Sequence, residues 1–179
     1  MNSFFEWFRK KKDPDLVESW KKLFDESAGN VARRGEREVE YFFGKPVTDD
    51  EISNVEEALG LRLPNELREL LKEFNGIEVK QEYWGPNPLP LYLSTQNMLV
   101  DIPKYIQESG NPMPPIDQLG SVVFFAHQNG FAELYAVCVK SFDDFQLGQV
   151  LCLDHETGEF ELERNSLKHF VECSDYCSL

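Results

Sequence analysis

An α+β fold, an antiparallel β-sheet packed with helices, is the class this sequence predicts, and three observations predict it. Helical periodicity with local capping signals dominates the chain as far as Phe74. Alternating and apolar strand-like runs, bounded by Gly, Pro and Asn, follow from Ile77 onwards. The chain then returns to a short helix after Asn165. Helices first and strands afterwards argue against a regular βαβ array and for the mixed antiparallel class.

The first helix is expected over residues 13–29. Asp13 is its candidate cap, Pro14 suits a first helical position, and Leu16, Val17, Trp20, Leu23 and Phe24 share a face. Gly29 is the expected stop. The next stretch, "NVARRGEREVEYFFGKPV", is less periodic, and a short helix ending near Gly44 and a linker both fit it. In "VTDDEISNVEEALGLRLP", Thr48 with Glu51 three residues later forms a capping box, and Asp49 and Asp50 complement the helix dipole. Ile52, Val55 and Leu59 give its apolar face, and Gly60 ends it. In "LRLPNELRELLKEFNGIEV", Pro64 stands at a helix start, where its missing amide costs nothing. Leu63, Leu67, Leu70, Leu71 and Phe74 form one apolar stripe, closed by Asn75-Gly76.

Strands are predicted at "IEVKQEYW", near Tyr92, and at "SVVFFA", "FAELYAVCV" and "GQVLCLD". "HETGEFELE" reads as a hairpin turning near Gly158. Between them, "STQNMLVDIPKYIQES" is helical from Ser94 or Thr95 with Pro103 as its breaker, and "GNPMPP" is a loop. "NSLKHFVEC" is a short helix capped by Asn165 or Ser166.

Composition bounds the function. The 179 residues include 41% hydrophobic residues and 14 Phe, enough for a sizeable core. The 32 acids against 18 bases give a net charge of −14. That charge repels phosphate backbones, so no direct nucleic-acid ligand is expected, and a basic partner is favoured. The cysteines at 138, 152, 173 and 177 make no disulfide framework and no Cys-x-x-Cys, which fits a reduced, cytoplasmic protein. The apolar part of "MNSFFEWFRKKKDPD" is short and interrupted by Glu6 and Arg9, so neither a signal segment nor stable membrane association is expected. An intramolecular helix covering the domain is the preferred reading of that segment.

Several blocks resemble, in order, the SUKH superfamily, the Smi/Knr-type domain best represented among bacterial toxin-immunity proteins. They are "TDDEISNVEEALGLRLPNELRELLKEFNG", "LPLYLST", "SVVFFAHQNG", "GQVLCLDHETGEFE" and "NSLKHFVE". The resemblance spans about residues 47–173, with His127 and Gln128 standing where acidic residues are frequent in the family. It divides the chain into a helical N-terminal extension, 1–46, and a SUKH-like domain, 47–179. It implies a non-enzymatic binding scaffold whose members neutralise the C-terminal domain of a larger toxin, often a nuclease. It also implies an alternative, the regulatory adaptor found among regulators of cell-wall assembly.

If a basic toxin cleft is the target, surface carboxylates are the groups to occupy it. Candidates are Asp143 and Asp144, and Asp154, Glu156 and Glu159 around the predicted hairpin turn. Asp49-Asp50-Glu51 is better explained by helix capping. Tyr83 and Trp84, beside "GPNPLP", fit both aromatic anchors for a partner and caps on the core edge. The histidines at 127, 155 and 169 lie in no nucleophile motif, and Asp154-His155-Glu156 places acid and base in a turn where neighbours point apart, so no catalytic residue is assigned. His169, Cys173 and Cys177 fall four apart, the types and spacing for zinc on one helical face, but a fourth ligand has no candidate. No metal or cofactor is assigned. Cys138 and Cys152 read as small hydrophobes in strands.

Overall fold

The computed structural model describes residues 19–33, 40–80, 91–92, 95, 98, 104, 108, 110, 112–127, 133–154 and 156–173. Its elements run α1 (Trp20–Arg33), β1 (Glu40–Phe43), α2 (Asp49–Leu59), α3 (Asn65–Glu73), β2 (Ile77–Lys80), β3 (Leu91–Tyr92), α4 (Ile116–Leu119), β4 (Val122–His127), β5 (Glu133–Cys138), β6 (Val150–Asp154), β7 (Phe160–Arg164) and α5 (Leu167–Glu172). Among the described residues, seven strands form one antiparallel sheet whose spatial order is the chain order. The α+β expectation holds.

Helix boundaries follow the local chemistry where it is strong. Thr48 Oγ1 accepts from the Glu51 amide while the Glu51 carboxylate accepts from the Thr48 amide, so both halves of the capping box form. Gly60 ends α2 in the left-handed conformation at φ +66, which glycine reaches without a side-chain penalty. Leu63, Leu67, Leu70, Leu71 and Phe74 are all buried, so the stripe read from the sequence is the packing face of α3. Burying side chains of this size contributes about 1.5–3 kcal/mol each before entropy is subtracted. Ser166 caps α5 by accepting from the His169 amide at 3.1 Å.

Two expectations in the N-terminal part are corrected. The helix that carries Trp20 begins at that residue, with Ser19 outside it, and residues 13–18 of the expected span lie outside the described residues. Ser19 caps this start locally by accepting from the Lys22 amide at 3.3 Å, and the distant Glu73 carboxylate adds to it by accepting from the Ser19 hydroxyl and from the Trp20 and Lys21 amides. The helix then passes through Gly29 to Arg33, because an interior glycine only weakens a helix. The stretch left open between helix and linker contains a strand, β1, paired with β2 from Glu40↔Lys80 to Phe43↔Ile77.

The helical layer lies on one face of the sheet. Phe24 of α1 meets Phe74 and Phe43 edge-on at 5.6 and 6.2 Å. Phe170 of α5 covers Phe125 and Tyr135 at 5.5 and 4.9 Å. Leu167's amide donates to Glu66 at 2.9 Å, which ties the start of α5 to the first turn of α3 across 101 positions. Trp20 and Phe24 are buried in the same core as Val137 and Leu151, so the start of α1 packs with the sheet.

The opposite face carries a second aromatic group. The side chains of Phe124 and Phe160 stack at 6.2 Å on that face, and Phe142 from the β5–β6 connection closes over Phe160.

Candidate interaction surface

Asp143 and Asp144 form the tip of a two-residue turn. Phe142 and Phe145 exchange backbone hydrogen bonds on either side, at 3.3 and 2.8 Å, and their rings meet edge-on at 5.2 Å. Asp143 has φ +46, a conformation that Asp and Asn tolerate better than most residues. Its Oδ2 accepts from Gln118 Nε2 of α4 at 2.9 Å, which fixes the turn to a neighbouring element. Leu147's amide donates to Ser141 Oγ and Gln146's to Gln149 Oε1, so the whole connection is held by its own bonds. Both carboxylates face solvent.

The second acidic turn joins β6 to β7. Asp154 Oδ1 accepts from the Glu156 amide at 2.8 Å, so this carboxylate builds the turn. Gly158 closes it at φ +74, its amide donating to the Asp154 carbonyl. A Cβ on Gly158 would sit 2.8 Å from the Pro112 carbonyl carbon, so the turn rests on the 112–113 backbone. Glu156 and Glu159 are exposed.

The two turns belong to opposite ends of β6, yet the fold brings them to one side. The β5–β6 connection folds back so that Phe142, next to Asp143, reaches Phe160, next to Glu159, at 5.9 Å. Large apolar side chains also face water on the connected elements: Ile116 of α4 is 83% exposed, Leu147 of the β5–β6 connection 65% and Leu162 of β7 50%. Carboxylates with apolar side chains among them are the makings of a protein-binding surface. The sequence reading missed these three. Ile116 carried a weak signal, an apolar residue directly after Pro114-Pro115 at a helix start, and Leu147 another, in a turn between Gln146 and Gly148.

The remaining candidates separate. Tyr83 and Trp84 lie outside the described residues. His169 on α5 and Cys173 at the end of that helix line an open recess of about 400 Å³ beside β7, and Cys177 lies outside the described residues. Among the described residues no three His, Cys, Asp or Glu side chains are grouped to hold a metal ion. Cys138 is buried, and burial pushes its thiol up against a weaker opposing effect from the Lys140 backbone, so it stays an inert thiol. No helix of the described residues is long and apolar enough to cross a membrane.

A capped acidic helix, the Leu-Pro-led leucine helix, and antiparallel strands ending in a Ser-capped helix appear here in the order of one known domain. The family model described as SMI1 / KNR4 family (SUKH-1) matches residues 46–173. The chain belongs to the SMI1/KNR4 family. No curated protein matches it. The SUKH-1 match starts just before Val47, whose amide donates to the Leu71 carbonyl, and takes in α2 through α5. Both acidic turns therefore lie inside the SUKH-1 domain, while α1 and β1 precede it and extend its core and sheet.

Proposed function

We propose that this SUKH-1 chain is an immunity protein: it binds a cognate toxin domain, with a nuclease as the favoured kind, and neutralises it by occlusion. One observation carries the reading beyond family membership. The Phe142–Phe160 contact holds Asp143 and Asp144 on the same side as Glu156 and Glu159, and Ile116 of α4, Leu147 of the β5–β6 connection and Leu162 of β7 are exposed. A nuclease grips phosphates with a basic cleft, and fixed carboxylates occupy such a cleft by presenting the charge it is built for. The apolar side chains supply the dry contact that charge alone does not. Tyr83 and Trp84 belong to the proposed contact as aromatic anchors. The chain needs no chemistry, metal or cofactor of its own for this, acts in the cytoplasm, and touches neither nucleic acid nor membrane directly.

The test is capture of the partner by the tagged full chain, followed by expression of that partner alone and together with the chain. The expected result is a one-to-one complex with a basic domain that arrests growth alone and is harmless in the pair. Asp143→Asn with Asp144→Asn keeps the turn, since Asn also tolerates positive φ, and is expected to weaken the complex at least tenfold, with less effect at high salt. Recovery of regulatory or cell-wall proteins that do not arrest growth would replace this reading with the adaptor one.

A further inference from the structure

β7 ends the strand order on one side of the sheet, and among the described residues no strand pairs with its outer edge. The hairpin register shows which of its backbone groups face outward. The Asp154 amide donates to the Glu159 carbonyl at 3.0 Å, which makes 154/159 a hydrogen-bonded pair. Two residues further along each strand, Cys152 and Glu161 form the next such pair. Antiparallel ladders alternate these pairs with pairs whose amides and carbonyls point away from each other. Phe160 and Leu162, opposite Leu153 and Leu151, take the alternate positions, so their N–H and C=O groups are directed at the open edge.

Side chains along this edge alternate in kind. Glu161 and Glu163 point to one face and Leu162, half exposed, to the other. The edge carries neither proline nor lysine, the residues that commonly blunt an open strand, and its one cation, Arg164, is ion-paired with Glu163 at 2.8 Å. Beside it lies the recess lined by Leu162, Arg164, His169 and Cys173, with room for a side chain arriving alongside β7.

Charge selects the occupant. A second copy docked antiparallel about Leu162 would set Glu161 of each chain opposite Glu163 of the other, and like charges directly opposite destabilise a strand pair. Basic side chains in those positions reverse the sign, and the net charge of −14 steers a cationic segment towards the protein.

We infer that the outer edge of β7 takes up an extended segment of the partner as an added strand, one that alternates basic residues opposite Glu161 and Glu163 with an apolar residue over Leu162. The inference rests on the reading that this chain works by binding a basic protein. Main-chain hydrogen bonds supply affinity in such an addition and the alternating side chains supply selection. The edge continues directly from the Glu156/Glu159 turn, so one partner spans both.

The probe is a nine-residue peptide alternating lysine and valine, titrated into the isotope-labelled full chain and followed by amide resonances and hydrogen exchange. Expected are shifts concentrated on residues 160–164, slowed exchange at the Phe160 and Leu162 amides, and several-fold weaker binding to a Glu161→Gln variant. A peptide of the same sequence with every backbone amide N-methylated has the same charge and is expected to bind at least tenfold more weakly. Equal binding of the two peptides, or shifts scattered over other acidic surfaces, would overturn the added-strand inference. A chain that binds the peptide at β7 yet protects against no toxin keeps the edge and loses the immunity reading. A protective chain that binds both peptides equally does the reverse.

Discussion

The ring of Phe142 meets that of Phe160 at 5.9 Å and an interplanar angle of 70°. This pair draws two acidic turns from opposite ends of one strand to one side of the sheet. Truncating Phe142 to Ala removes its contacts to Phe145 and Phe160 together. The ring is only half-buried, so the expected loss is about 2 kcal/mol, below the range for a fully buried phenylalanine. Urea unfolding at neutral pH measures it. Hydrogen exchange should speed up at residues 142–145 while the β4–β5 ladder stays protected. An unchanged 142–145 turn would mean that Gln118 and the internal hydrogen bonds position the acids without the ring.

Glu73 should be a stability switch at low pH. Burial alone would push its carboxyl up, but the Ser19 hydroxyl, the Lys21 and Trp20 amides and the Lys21 charge together hold it below the ordinary glutamate value of 4.5. The folded form therefore favours the ionised group. Its stabilisation is complete at neutral pH, declines as pH falls below that ordinary value, and disappears below the depressed folded value. Glu73→Gln is expected to cost about 1–2 kcal/mol at pH 7, the scale of a helix cap after solvent screening. The gap between variant and parent should close in acid, which unfolding curves at pH 7 and pH 3 would reveal.

Two glycines in the same left-handed region should respond differently to alanine. Gly60 has φ +66 and open space around its would-be Cβ, so Gly60→Ala is expected to cost only the backbone penalty, about 1 kcal/mol. Gly158 has φ +74 and the Pro112 and Met113 backbone within 2.9 Å of that position. Gly158→Ala should add a steric cost of about 1–3 kcal/mol to the same penalty. Equal melting temperatures for the two variants would show that the 112–113 segment moves aside freely.

How far the sequence could be read depends on how far apart the deciding atoms lie. Thr48 and Glu51 are three positions apart, and the box, its helix and its Gly60 stop were all visible in advance. The leucine stripe of α3 was visible for the same reason, since helical spacing alone defines its face. The Glu73 part of the cap on α1 was not, because that carboxylate stands more than fifty positions on. β1 was missed because four residues become a strand only when β2 is available to pair with them. At the candidate surface the acids themselves were legible as composition. Their grouping was not, since it depends on one aromatic contact between Phe142 and Phe160. Asp154 was named for a contact surface, and its carboxylate also holds the amide of Glu156, a turn-building role the sequence reading did not assign.

The sequential order of the strands bears on how quickly the chain assembles. A sheet whose neighbours in space are neighbours in sequence closes small loops first, and the entropy of loop closure grows with length. The β5–β6–β7 hairpins are therefore expected to nucleate, while the seam between Glu66 and Leu167 forms after the rate-limiting barrier. Stopped-flow measurements should place substitutions on opposite limbs of the chevron: Leu151→Ala mainly slowing folding, Glu66→Gln mainly accelerating unfolding. The clasp that joins the two ends of the domain thus governs how long the native state lasts and has little influence on how soon it appears.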